Sequence, residues 1–115
     1  MKIIALLPVK NEEWIVNQAL SSLELYCDKI IVADQNSVDN TKKIIKNYKK
    51  VEIIENNEKY HSNKVRWKLL EHARKSYEGI NIILAIDADE LLSSNILYEI
   101  MNKIYVIYLW FDMCY

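Results

Sequence analysis

The sequence predicts an α/β fold in which four strands form one mostly parallel sheet, in the order third, second, first, fourth, with helices on both faces. Three observations lead there. Short apolar runs without polar alternation recur at residues 2–7, 29–33, 51–54 and 81–86, the pattern of strands buried on both faces. Amphipathic stretches of helical period separate them. Regular alternation of the two, with short loops, implies parallel strands joined by right-handed crossovers.

Each element has its own signal. The run 2–7 is closed by Pro8. Residues 15–26 place Val16, Ala19, Leu20 and Leu23 at i, i+3, i+4 and i+7, one face of a helix. Glu12 and Glu13 are expected at its start, where the helix dipole favours anions. Residues 29–33 are rich in Ile and Val, and a polar loop follows from Asp34 to Asp39. Asp39 or Asn40 is expected to cap a helix whose inner stripe is Thr41, Ile44, Ile45 and Tyr48. A short third strand at 51–54 leads to a polar loop, 55–62, and then to a helix over 63–77 with Val65, Leu69, Ala73 and Tyr77 inward. Gly79 is placed to end that helix. After the fourth strand, Ser93 or Ser94 is expected to cap a last helix with Leu97, Ile100, Met101 and Ile104 inward. Residues 105–111 read as the start of a fifth strand or as a tail.

Composition narrows the class. At 115 residues, 51% hydrophobic and 27% charged, the chain suits one globular domain spanning 1–115 and not a disordered segment. With one Gly and one Pro, turns must be built by Asn, Asp and Ser. A net charge of −1 gives no electrostatic footprint for nucleic acid. Cys27 and Cys114 lie in no C-x-x-C pair, and His61 and His72 fall in no metal-ligand spacing. The cysteines read as reduced thiols and no signal peptide is evident, so a cytoplasmic location is expected. The apolar segment 104–111 is too short to cross a bilayer. Because the sequence stops inside that aromatic segment, it is expected to be truncated and to self-associate there as a homo-oligomer.

The chemistry concentrates at the carboxyl ends of strands, where open α/β sheets bind ligands. Asp87-Ala88-Asp89-Glu90 follows the fourth strand directly. Carboxylates two residues apart at a strand end turn to one side. Such a pair suits Mg²⁺ or Mn²⁺, which takes one or two carboxylates together with substrate phosphate oxygens and water. The loops Pro8-Val9-Lys10-Asn11-Glu12-Glu13 and Asp34-Gln35-Asn36-Ser37-Val38-Asp39 leave the same sheet edge. No G-x-G-x-x-G or P-loop pattern is present, which argues against a dinucleotide or P-loop enzyme. Phosphate would fall to the metal and to Arg66. The plainer alternatives are that Asp34 bonds its own backbone, that Asp39 is a helix cap, that Arg66 is a solvated helix charge, and that Trp14, Trp67 and Trp110 are core or rim residues.

In these three loops the chain resembles the family 2 glycosyltransferases of GT-A fold, a Rossmann-like three-layer sandwich. P-V-K-N-E-E is similar to the family's P-x-x-N-E loop, I-I-V-A-D-Q-N-S-V-D-N-T to its I-I-V-V-D-D/T-G-S-T-D-x-T segment, and I-D-A-D-E to its D-x-D motif. Residues 61–73 are a looser match to a helix bearing a family Arg, here Arg66. The resemblance covers residues 2–97. It implies a nucleoside-diphosphate-sugar donor, with Pro8, Val9, Asn11, Glu13 and Asp34 lining the base and ribose pocket. Arg66 would approach the base or diphosphate, Asp87 the ribose or the metal, and Asp89 the metal directly. It also implies an acceptor that is not specified, such as a surface glycan made at the inner face of the membrane.

Two departures stand out. Gln35 and Asn36 replace the second acid and the usual Gly. The family's acceptor half and catalytic base are expected beyond residue 115, so no catalytic base is assigned. The rival expectations are a non-catalytic nucleotide-binding remnant that needs a partner chain, and a nucleotidyltransferase, which would carry a Gly-rich first loop.

Overall fold

The computed structural model describes residues 2–56 and 63–88. The expected last helix, the aromatic segment with its proposed self-association, His61 and the metal ligand Asp89 lie outside the described residues.

The chain alternates β1 (Ile3–Val9), α1 (Val16–Tyr26), β2 (Lys29–Asp34), α2 (Thr41–Ile45), β3 (Val51–Glu55), α3 (Asn63–Ser76) and β4 (Ile82–Ala85). The strands form one parallel sheet in the order β3-β2-β1-β4, as expected. Strand parity divides the core. Ala5, Leu7, Val9, Ile30, Val32 and Leu84 face α1 and α2, and meet Val16, Ala19, Leu20, Leu23 and Ile45. Ile4, Leu6, Ile31 and Ala33 face α3, and meet Val65, Leu69 and Ala73. The predicted stripes of α1, α2 and α3 are therefore inward, and the three layers are α1/α2, sheet and α3. No helix among the described residues is long and apolar enough to cross a membrane.

Three details differ from the sequence reading. Strand β1 does not stop before Pro8 but runs on to Val9. Its carbonyls alternate: Leu6 accepts from Ile86 N on the β4 side, and Val9 accepts from Gln35 N on the β2 side. Pro8 therefore faces β4, where its missing N–H ends the ladder instead of breaking it. Second, Glu12 and Glu13 are not in the first turn of α1, which contains no acid. The Glu12 carbonyl accepts from the amides of Ile15 and Val16, and both acidic residues lie in the turn before the helix. Third, α2 is only five residues long and ends before Tyr48; of the two expected caps it is Asp39 that accepts from the Thr41 amide, at 2.9 Å, while Asn40 makes no side-chain capping bond.

The far end of α1 is closed by a residue from another element. Lys50 Nζ donates to the carbonyls of Glu24 at 2.7 Å and Cys27 at 3.1 Å, so a cation satisfies acceptors that a helix terminus leaves open. Gly79 has φ +91 and lies beyond the end of α3, a conformation that suits glycine.

Candidate functional site

The carboxyl edge of the sheet has two parts. In the first, the loops after β1 and β2 are zipped together. Asn11 N donates to Ser37 Oγ at 2.9 Å, and Val38 N donates to Asn11 Oδ1 at 2.8 Å. Glu12 N donates to Thr41 Oγ1 at 2.9 Å, and Glu13 N to Asp39 Oδ2 at 3.3 Å. Asn40 returns two bonds to the Glu13 carboxylate, from its amide N at 3.3 Å and from Nδ2 at 3.1 Å. Asn11 and Asn36 have φ of 50 and 49. Asparagine tolerates that left-handed region better than most side chains. At Asn36 it meets the backbone demand that the resemblance assigns to Gly.

The carboxylates of this part are engaged. Asp39 Oδ1 accepts from Thr41 Oγ1 at 2.5 Å, and that bond leads the interactions that hold the Asp39 carboxyl below the usual range. Asp34 is 6% exposed. It accepts from Ser37 Oγ at 2.5 Å and from Ser37 N at 3.3 Å, so the expected bonding to its own loop is present. Asp34 also lines a cavity of about 270 Å³ with Asn36, Ser37, Lys42, Ile53, Ile54, Glu55 and Asn56. Lys42, Glu55 and Asn56 were missed by the sequence reading. For Glu55 and Asn56 the signal was available, because β3 ends at the same edge as β1, β2 and β4; Lys42, in α2, carried none.

The second part lies between β4, β1 and α3. Here Ile86 N makes a ladder bond to the Leu6 carbonyl at 3.2 Å. Asp87 continues the parity of Ile83 and Ala85, which face α3, and its Oδ2 lies 3.5 Å from Arg66 Nη2. The side chains of Arg66 and Asp87 are 49% and 32% exposed, which puts the worth of the pair at about 0–1 kcal/mol. Beside it opens an apolar cleft of about 330 Å³, lined by Leu6, Pro8, Trp67, Leu69, Leu70 and Ile86 among others. Trp67 is 63% exposed at its rim.

Among the described residues, the predicted site residues thus reach one sheet edge but do not share one cavity. Pro8 and Arg66 line the α3-side cleft, with Asp87 against Arg66. Asp34 lines the β2–β3 cavity. Val9 is buried, and Asn11 and Glu13 are engaged in the zipper. Gln35 is buried as well.

The profile of the Glycosyl transferase family 2 matches residues 5–106, from within β1 to beyond the D-x-D segment. The chain belongs to that family. No curated protein matches it. A family 2 glycosyltransferase acts, in general terms, on a nucleotide-sugar donor and an acceptor. The strand ends and loops that build the edge of this family member's sheet fall inside the matched span.

Away from the edge, two groups are tied into the scaffold. Burial pushes the Cys27 thiol up to about 11, Asp28 adds to the effect and Lys50 opposes it, so the nucleophilic thiolate is suppressed. Glu52 on β3 accepts from the Tyr77 hydroxyl and contacts His72 Nε2 at 3.2 Å. Burial would push its carboxyl up, but the bonds from Tyr77 and His72 outweigh burial and hold it below the usual range. The Tyr77 hydroxyl is pushed up to about 12 by burial and by Glu52. This cluster anchors α3, the helix that carries Arg66, to the sheet.

Proposed function

We propose that this chain binds a nucleoside-diphosphate sugar with a divalent cation, Mg²⁺ or Mn²⁺, as the donor-binding part of a glycosyltransferase. The observation that carries the reading is Asp87, next to the Ile86–Leu6 ladder bond at the end of β4, with Arg66 at 3.5 Å. A carboxylate beside a guanidinium at a sheet's carboxyl edge offers an acceptor for ribose hydroxyls and a donor for phosphate oxygens. That arrangement favours Asp87 as the ribose-side residue, with Asp89, two positions on, as the direct metal ligand. Hard oxygen donors of this kind fit Mg²⁺ or Mn²⁺. The cation would neutralise charge on the departing diphosphate. The chain's own residues hold the donor: Arg66 faces the diphosphate, and the Asp34 cavity receives the base of the nucleoside. The acceptor, a surface glycan in this reading, and self-association through residues 105–110 rest on the sequence alone.

Calorimetry with UDP, GDP and dTDP, with and without Mn²⁺, tests the reading. Binding of at least one nucleotide is expected to require the metal. Asp89→Asn is expected to abolish that requirement, and Ser94→Ala to leave it intact. Absence of binding at millimolar nucleotide with Mn²⁺ present would refute the donor site.

A further inference from the structure

We infer that Ser37 is a positioning residue for nucleoside recognition, its hydroxyl aiming the Asp34 carboxylate at the cavity between the ends of β2 and β3. The inference rests on the donor-site reading above and adds a residue to it.

The zipper contains two hydroxyl relays of the same construction. In one, Asn11 N–H donates to Ser37 Oγ at 2.9 Å, and Ser37 O–H donates to Asp34 Oδ1 at 2.5 Å. In the other, Glu12 N–H donates to Thr41 Oγ1 at 2.9 Å, and Thr41 O–H donates to Asp39 Oδ1 at 2.5 Å. A hydroxyl has one proton to give. An amide donating to the oxygen leaves that proton to the carboxylate, so each relay has one direction, from the β1 loop through the hydroxyl to the acid.

The two acids end differently. Asp39 is consumed within the zipper, with Oδ2 on the Glu13 amide and Oδ1 on both the amide and the hydroxyl of Thr41. Asp34 is held by Ser37, strongly at Oδ1 and by a long 3.3 Å bond at Oδ2. An ionised carboxylate offers about four lone-pair sites, so Asp34 keeps capacity for a further donor. Of the two it is also the one that lines the cavity, together with Lys42, Glu55 and Asn56. The left-handed turn at Asn36 brings Ser37 back over Asp34. A base N–H entering the cavity would meet a carboxylate whose rotamer is already fixed, which reduces the ordering cost of binding.

The full chain is titrated with the nucleoside diphosphate that binds best, in the presence of Mn²⁺, and melting temperature is recorded for every variant. Ser37→Ala is expected to weaken binding about tenfold, the scale of one hydrogen bond to a charged group. Ser37→Thr, which keeps the hydroxyl, is expected to restore affinity. Thr41→Val breaks the other relay; it is expected to lower the melting temperature and leave affinity unchanged. In the Asp34→Asn background, Ser37→Ala is expected to add no further loss, because its effect runs through Asp34. Nucleotide binding by the wild type with equal affinity in Ser37→Ala would overturn the positioning role alone. Equal weakening by Thr41→Val would overturn it as well, reducing Ser37 to general loop stability. A wild type that binds no nucleotide would refute the donor site itself, and the positioning role with it.

Discussion

The two halves of the sheet's carboxyl edge are built on opposite principles. On the β1–β2 side, side chains and amides of adjacent loops satisfy one another, and two left-handed asparagines fold the chain back into its own hydrogen bonds. On the β1–β4 side Pro8 offers the ladder no N–H, and a partly exposed ion pair lies beside an apolar cleft. The first side stores its polar groups in internal bonds and is rigid before any ligand arrives. The second leaves charge accessible and cheap to rearrange. A donor-binding edge needs both: a fixed frame for the uncharged nucleoside, and a responsive margin for the phosphates and their cation.

The contrast is open to attack at several points, beginning with the largest expected change. Thr41 is buried, and its hydroxyl joins the Glu12 amide to Asp39. Thr41→Val should therefore cost about 1–3 kcal/mol, because two part-buried hydrogen bonds at about 0.5–1.5 kcal/mol each are lost together. Denaturant melts would give the value, and a cost near zero would show that the zipper is ornamental. Arg66→Ala should do the reverse. Its partly exposed pair contributes about 0–1 kcal/mol to folding, whereas loss of a cation facing the diphosphate should weaken nucleotide binding by about tenfold. Matched melting and titration curves would separate the two effects.

Acid should loosen the zipped side first. The Asp39 carboxyl is held low chiefly by its bond from Thr41. A group whose folded-state pKa is depressed contributes stability above its unfolded value and loses it as pH falls through the folded one. Melting temperature should therefore fall with acidification below the ordinary carboxylate range, and Asp39→Asn should flatten that part of the profile. The smallest effect belongs to Asn36. Its φ of 49 penalises Ala, so Asn36→Ala should cost about 1 kcal/mol, whereas Asn36→Gly should change stability by only a few tenths. Chemical denaturation at neutral pH would rank the two.

Much of the frame was legible in the residues. Sheet order and both helix stripes followed from unalternating apolar runs and from Val16–Leu23 and Val65–Ala73 spacings, because burial on both faces leaves a simple periodic record. The edge was legible only in part. Asp34, Arg66 and Asp87 reach it as expected, but how they divide between two cavities depends on strand parity beyond the last ladder bond, which no motif encodes. Glu13 looked like a helix-dipole residue; it lies before α1 because the helix begins at Val16, and its carboxylate serves Asn40 in the next loop. Glu55 and Asn56 follow β3 to the edge that all parallel strands share but belong to no motif, and Lys42, in α2, reads as an ordinary helix charge. Ser37 and Thr41 escaped because a hydroxyl between an amide and an acid is a tertiary arrangement of ordinary residue types.

Pro8 has a consequence for folding fidelity. Parallel strands of similar apolar character pair almost as well two residues out of register, and β1 and β4 are two such strands. If β4 moved further along β1, the new ladder would need a proton on the Pro8 nitrogen, and none exists. A β4 carbonyl would then be left without its donor in a buried setting, at a cost of about 1–3 kcal/mol. The ring thus acts as a stop against which β4 seats, and it requires no contact with any neighbour to do so. Because the restraint is covalent, it operates in the earliest compact states of the chain, before Arg66 and Asp87 have found each other.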